Sequence, residues 1–157
     1  MADKTSSTTR IDAPKAEIMS VIADFAAYPQ WAQGVRAAEV VRTDPDGRPA
    51  EVRFTLDAGI IKDSYVLGYS WQADDEVTWK LVGRGSMISD MSGAYRLAEQ
   101  AKQDGAGTEV TYELSVGLAV PMPGMVKRRA EKTIIYTALK GLRSRVEQGA
   151  GGSGEAS

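Results

Sequence analysis

The chain has 157 residues, 43% of them hydrophobic and 25% charged, the balance of one soluble domain that buries roughly 70% of its unfolded surface and needs no disulfide or metal to fold. It contains no histidine and no cysteine, which excludes thiolate nucleophiles, Ser-His-Asp and Cys-His pairs, histidine bases and zinc or haem ligation by this chain; with no acidic calcium-type loop either, neither metal nor cofactor is expected. A net charge of -2 and an isoelectric point near 5.3 argue against a nucleic-acid surface, no apolar run approaches the roughly 20 residues of a spanning helix, and Met1 to Ser7 lacks an apolar secretion core, so a cytoplasmic location without stable membrane insertion is expected.

Thr5 to Ile11 reads as a short strand. A helix opens next, with Asp12 offering its carboxylate to free amides and Pro14 in the first turn, where its missing N–H costs nothing. Ile18, Val21, Ile22 and Phe25 recur at i, i+3, i+4 and i+7, giving one buried face. Tyr28-Pro29-Gln30-Trp31 ends that helix, because the residue before a proline is pushed out of helical geometry, and Trp31 starts a second short turn.

From Val35 the period becomes alternating. Val35 to Arg42 and Glu51 to Asp57 flank the turn Asp44-Pro45-Asp46-Gly47. Val52, Phe54 and Leu56 alternate with polar residues, so one face is buried and the other wet. Tyr65, Leu67, Tyr69 and Trp71 continue the pattern up to the acidic tip Asp74-Asp75-Glu76, followed by Val77, Trp79 and Leu81. Met91, Tyr95 and Leu97 share one parity, and Gln103 to Gly107 closes a hairpin onto Val110, Tyr112, Leu114, Val116 and Leu118. After Pro121-Met122-Pro123-Gly124 the period is helical again: Val126, Ala130, Ile134, Ile135, Ala138, Leu139, Leu142 and Val146 form a stripe. Residues 1–148 therefore read as a single domain and 149–157 as a flexible Gly-rich tail.

Sequential hairpin strands pair with their neighbours, so the pattern predicts an α+β fold. A curved antiparallel sheet of about seven strands wraps a long C-terminal helix, with two short helices after the first strand. A bent sheet gripping one helix leaves a gap where small molecules bind.

Local motifs carry a family resemblance. Ile11-Asp12-Ala13-Pro14, Asp24-Phe25-Ala26-Ala27-Tyr28-Pro29-Gln30-Trp31, Gly93-Ala94-Tyr95-Arg96-Leu97, Gly107-Thr108-Glu109-Val110-Thr111-Tyr112 and Val120-Pro121 before a basic helix resemble the START-like (SRPBCC) helix-grip superfamily, in particular its polyketide cyclase/dehydrase and coenzyme Q-binding branch. The resemblance runs to about Gln148 and implies the helix-grip fold. The superfamily includes lipid and hormone carriers, aromatase/cyclases and modules of unknown role, so fold alone does not choose a function.

Phe54, Tyr65, Tyr69, Trp79, Tyr95 and Tyr112 share the inward parity. Singly each reads as core; together they favour a cavity, since such rings offer an apolar wall with polar tips. Met91 and Leu114 from the sheet, Ile134 and Ile135 from the helix, and Met122 and Met125 as part of a lid complete the candidate lining. Lys127 and Arg128 are candidate anion contacts at the start of the last helix, with a solvated face as the plainer reading. Asp63, Arg84, Asp90 and Arg96 lie near the relevant strands but read as surface charges, and no catalytic pair declares itself. Three functions follow: binding or carriage of an apolar small molecule such as a lipid, isoprenoid quinone or polyketide; a polyketide cyclase, aromatase or dehydratase using tyrosine or carboxylate acid/base groups; or an interaction module with a vestigial cavity.

Overall fold

The computed structural model describes residues 4–32, 34–57, 62–102, 105–119 and 123–152. The alternating segments form β1 (Thr5–Ile11), β2 (Val35–Thr43), β3 (Pro49–Asp57), β4 (Lys62–Gln72), β5 (Glu76–Val82), β6 (Ile88–Lys102) and β7 (Gly105–Leu118). They make one antiparallel sheet in the order β1-β7-β6-β5-β4-β3-β2. Consecutive strands from β2 to β7 pair as hairpins, while β1 crosses to the far edge and pairs with β7 from Thr5↔Leu114 to Ile11↔Thr108. The first hairpin is closed by Asp44, whose Oδ1 accepts from the amides of Asp46 (2.9 Å) and Arg48 (3.0 Å), and by Gly47 at φ +88°, a left-handed position that glycine takes without a Cβ penalty.

Alternation sorts the two sheet faces as expected. Val52, Phe54 and Leu56 of β3 and Val110, Tyr112, Leu114 and Val116 of β7 are buried, while Arg53 and Thr55 face solvent. On the outer face Arg96 bridges Glu76 at 2.7 Å and Glu113 at 2.8 Å.

Between β1 and β2 lie α1 (Lys15–Ala23), a 3-10 turn (Phe25–Ala27) and α2 (Tyr28–Trp31). Two local expectations are corrected here. Asp12 does not cap α1: its Oδ1 accepts from Arg10 Nε at 3.1 Å, and the Lys15 amide is taken instead by Glu99 Oε2 of β6 at 3.0 Å. Tyr28 does not leave helical geometry before Pro29 but sits at φ -53°, ψ -42°, and the break falls at Asp24 (φ -88°, ψ 75°). Tertiary packing outweighs the pre-proline preference: the Tyr28 hydroxyl donates to the Ile22 carbonyl, and its ring packs 4.8 Å from that of Phe25.

The chain then returns along the concave face as α3 (Gly124–Gly152). Its buried spine is Ile135, Leu139, Leu142 and Val146, each at most 5% exposed and spaced to face one side of the helix. Val126, expected on that stripe, is 38% exposed. A Cβ on Gly141 would lie 2.2 Å from the Trp31 carbonyl oxygen, so this glycine lets α2 touch the backbone of α3.

One carboxylate fastens the helix to the sheet. Glu131 is 2% exposed and accepts from the Val116 amide (2.8 Å), Thr5 Oγ1 (2.7 Å) and Lys127 Nζ (3.0 Å). Val116 lies past the last residue that β1 pairs, so Glu131 satisfies a strand N–H that has run out of strand partner.

Candidate functional site

The sheet, α2 and α3 enclose a cavity of about 370 Å³, within the range of small-molecule sites. Of the residues picked out by parity, Phe54, Tyr65, Tyr69, Trp79, Met91, Tyr95, Tyr112 and Leu114 line it from the sheet and Ile134 from α3. Cross-strand pairing builds the aromatic wall. Phe54 stands opposite Tyr65 at a ring distance of 5.8 Å, Tyr69 opposite Trp79 at 5.8 Å, and Tyr95 opposite Tyr112 at 4.6 Å. Trp79 stands opposite Gly93, and a Cβ there would lie 2.4 Å from the indole Cζ2. The bare glycine lets the indole lie against β6.

The polar groups of this wall are phenols. The hydroxyls of Tyr65, Tyr69, Tyr95 and Tyr112 have no hydrogen-bond partner among the described residues, whereas Tyr28 has Ile22. Burial pushes all five phenols above their ordinary value, and the Tyr112 phenol adds to the rise at Tyr28, Tyr65, Tyr69 and Tyr95. They stay protonated at neutral pH and act as neutral donors and acceptors.

Tyr28, Trp31, Thr133 and Thr137 also line the cavity, and sequence reasoning missed them. The first two stand in the Tyr-Pro-x-Trp segment, read there as a helix break and a family motif and not as cavity lining; the two threonines are polar residues one helical turn apart beside Ile134. Their hydroxyls donate to helix carbonyls, Thr133 to Arg129 at 3.0 Å and Thr137 to Thr133 at 2.8 Å, so α3 contributes no uncommitted hydroxyl. The indole Nε1 of Trp31 is buried without a partner among the described residues. Asp57 lines the cavity and pairs with Arg36 at 3.3 Å.

The remaining candidates lie elsewhere. Ile135 belongs to the buried spine, and Met125 is 75% exposed and does not line the cavity. Met122 falls outside the described residues. Lys127 is engaged by Glu131, and Arg128 is exposed at the start of α3. Arg84 and Asp90 are exposed. Asp63 is structural: Oδ1 accepts from the amides of Ser64 (2.8 Å) and Ser86 (2.8 Å), and Oδ2 from Met87 (2.9 Å) and Ile88 (2.8 Å). Among the described residues no group of three or more acidic side chains is placed to hold a metal ion, and no helix is long and apolar enough to cross a membrane. What this arrangement can do is surround an apolar body and meet its oxygens with neutral hydroxyls.

Among solved structures, a START superfamily protein from Mycobacterium smegmatis superposes with a TM-score of 0.83 at 22% identity, covering 92% of this chain and 97% of that one. The Zhui aromatase/cyclase from Streptomyces sp. R1128 matches with a TM-score of 0.76 at 12% identity over 96% of both chains. A protein from Thermus thermophilus matches with a TM-score of 0.74 at 19% identity over 92% of this chain and 97% of that one. At these identities the likeness is one of fold. No curated protein matches the chain significantly. The family described as polyketide cyclase/dehydrase and lipid transport matches residues 11–143, from the end of β1 through most of α3, and the chain belongs to that family, with a START-like helix-grip fold.

Proposed function

We propose that the chain binds and carries an apolar small molecule bearing carbonyl or hydroxyl oxygens, of the lipid, isoprenoid quinone or polyketide class, in the cavity between sheet and α3. The observation that carries this reading is the combination of an apolar wall with four cavity-lining phenols that have no hydrogen-bond partner among the described residues. These hydroxyls open into the cavity, where a ligand's oxygens can pair with them, each such hydrogen bond contributing about 0.5–1.5 kcal/mol. A ligand that meets several of them also buries its own apolar surface against the wall. A cavity of about 370 Å³ also supports a ligand site over a vestigial one.

A cyclase reading draws on the same phenols, which can donate to a developing enolate oxygen. It is weaker for want of a base: among the described lining residues the only carboxylate is Asp57, held by Arg36.

Native mass spectrometry of protein from its own host is expected to show a co-purifying apolar ligand, and a fluorescent hydrophobic probe is expected to bind the emptied protein. Ala138→Phe, which fills the cavity from α3, should weaken the probe at least about tenfold, about 1.4 kcal/mol, with the melting temperature held or raised. Empty protein that binds no hydrophobic probe would sink the reading. Were turnover of a polyketone found, Tyr95→Phe and Tyr112→Phe should each slow it at least about tenfold; unchanged rates would remove both from the chemistry.

A further inference from the structure

Helix α3 carries a second face that neither the core nor the cavity uses. Met125, Arg129, Lys132, Tyr136, Lys140 and Arg143 are all exposed, and their spacing of three or four residues puts them on one stripe of the helix. Between Gly124 and Gln148 the chain has seven Lys or Arg and two Glu, a net of +5 in a protein whose total is -2. Neither glutamate neutralises the heart of the stripe. Glu131 is buried against Lys127, and Glu147 reaches Arg143 at 3.4 Å. Arg128, Arg129, Lys132 and Lys140 have no ion pair among the described residues. Apolar surface is interleaved with this charge: Met125 is 75% exposed, Tyr136 65% and Val126 38%, and Lys140 Nζ stands 5.9 Å from the Tyr136 ring centroid. The neighbouring side of the same helix, with Thr133, Ile134, Thr137 and Ala138, is a cavity wall.

From this juxtaposition we infer that the exposed stripe of α3 docks the protein reversibly on an anionic lipid surface, with the cavity wall one helix face away from the bilayer. Cations attract acidic headgroups, and the exposed methionine, valine and tyrosine enter the interfacial layer where apolar and aromatic side chains gain. An acidic protein would satisfy the charge too, but single apolar side chains spaced among cations along one convex helix stripe suit an interfacial layer better than the contiguous apolar centre of a protein interface. Docking does not depend on what the cavity holds.

The test is co-sedimentation of the full chain with vesicles of phosphatidylcholine containing 30% phosphatidylglycerol, against pure phosphatidylcholine. Binding is expected to the first and not the second, and to weaken at least about tenfold on raising the salt from 0.1 M to 0.5 M. Each basic residue near such a surface contributes about fivefold, so Arg129→Gln with Lys132→Gln and Lys140→Gln should weaken binding about 100-fold with an unchanged melting curve. If that variant is unstable, Met125→Ser with Tyr136→Ser provides a second measure and should lose severalfold at constant charge. Ala138→Phe should sediment like the parent, so failure of docking and failure of the cavity reading are separately visible. Equal binding to both vesicle types, or charge variants that bind like the parent, would overturn the inference. Capture by soluble poly-glutamate with no vesicle binding would overturn it in favour of an acidic protein partner.

Discussion

Asp63 illustrates how much one side chain can hold. Each of its oxygens accepts two backbone amides, three of the four from residues 86–88, which lead into β6. Burial alone would raise its carboxyl, but the four N–H donors outweigh that and hold it below its ordinary value of 3.8. A folded-state value below the unfolded one means that the stabilisation is present at neutral pH and fades as pH falls below about 4. Asp63→Asn keeps one acceptor and replaces the other with a donor. It should cost about 2–3 kcal/mol at pH 7 and flatten the acid side of the stability curve, both readable from thermal melts between pH 7 and pH 3. A variant that melts like the parent at both ends would show that the loop does not depend on this carboxylate.

At the scale of elements, the contact between β5 and β6 sets the form of the cavity wall. Trp79 faces Gly93 across the pair, and a Cβ at 93 would meet the indole at 2.4 Å and the Glu113 carbonyl oxygen at 2.7 Å. The carbonyl belongs to the backbone of β7 and has little room to move, so the ring and the strand must both shift. Gly93→Ala is therefore expected to destabilise by about 1–3 kcal/mol and to change the tryptophan emission, since the indole is driven toward the cavity. Unaltered stability and emission would mean that the wall is more pliant than its packing implies. Helix α3 divides its labour by face: the Ile135 spine packs on the sheet, the Ile134 side lines the cavity and the Tyr136 side meets solvent. Three adjacent residues thus serve three environments, because successive helical positions turn by about 100°.

For the molecule as a whole, the cavity is where distant segments converge: α2, six strands from β2 to β7, and α3 each supply part of its wall. The phenols of Tyr28, Tyr65, Tyr69, Tyr95 and Tyr112 share that interior, and burial raises all five. Because the folded state binds these protons more tightly than the unfolded chain, stability is full below about pH 10 and falls as pH rises beyond it. An absorbance titration of phenolate should therefore show these tyrosines ionising together with loss of the circular dichroism signal. Independent ionisation in a still-folded protein would show that water and base reach the cavity freely.

Legibility follows from the range of the interactions concerned. Strand parity is local, and a period of two assigned Phe54, Tyr65, Tyr69, Trp79, Tyr95 and Tyr112 to one face without any knowledge of the partner strands. The helical stripe was legible for the same reason, but it could not separate Ile134 from Ile135, since a stripe says that a face is covered and not by what. Trp31 escaped because four residues around a proline have too little periodicity to report a direction. Glu131 escaped because a glutamate on a helix is ordinarily exposed, and only the end of β1 beside Val116 makes its burial favourable. Lys127 looked available to ligands until that carboxylate appeared beside it.

By itself the amino-acid sequence determined the order of elements, the inward face of each strand and the absence of histidine and cysteine chemistry, all of which depend on near neighbours or on composition. The tertiary structure decided that β1 pairs with β7 and that α2 closes the cavity with Trp31. It also decided that Asp63 and Glu131 are anchors and that the basic stripe of α3 remains open to solvent. Each of these depends on groups far apart in the chain, whose meeting is settled by packing and by the need to satisfy buried backbone amides, which no local pattern encodes.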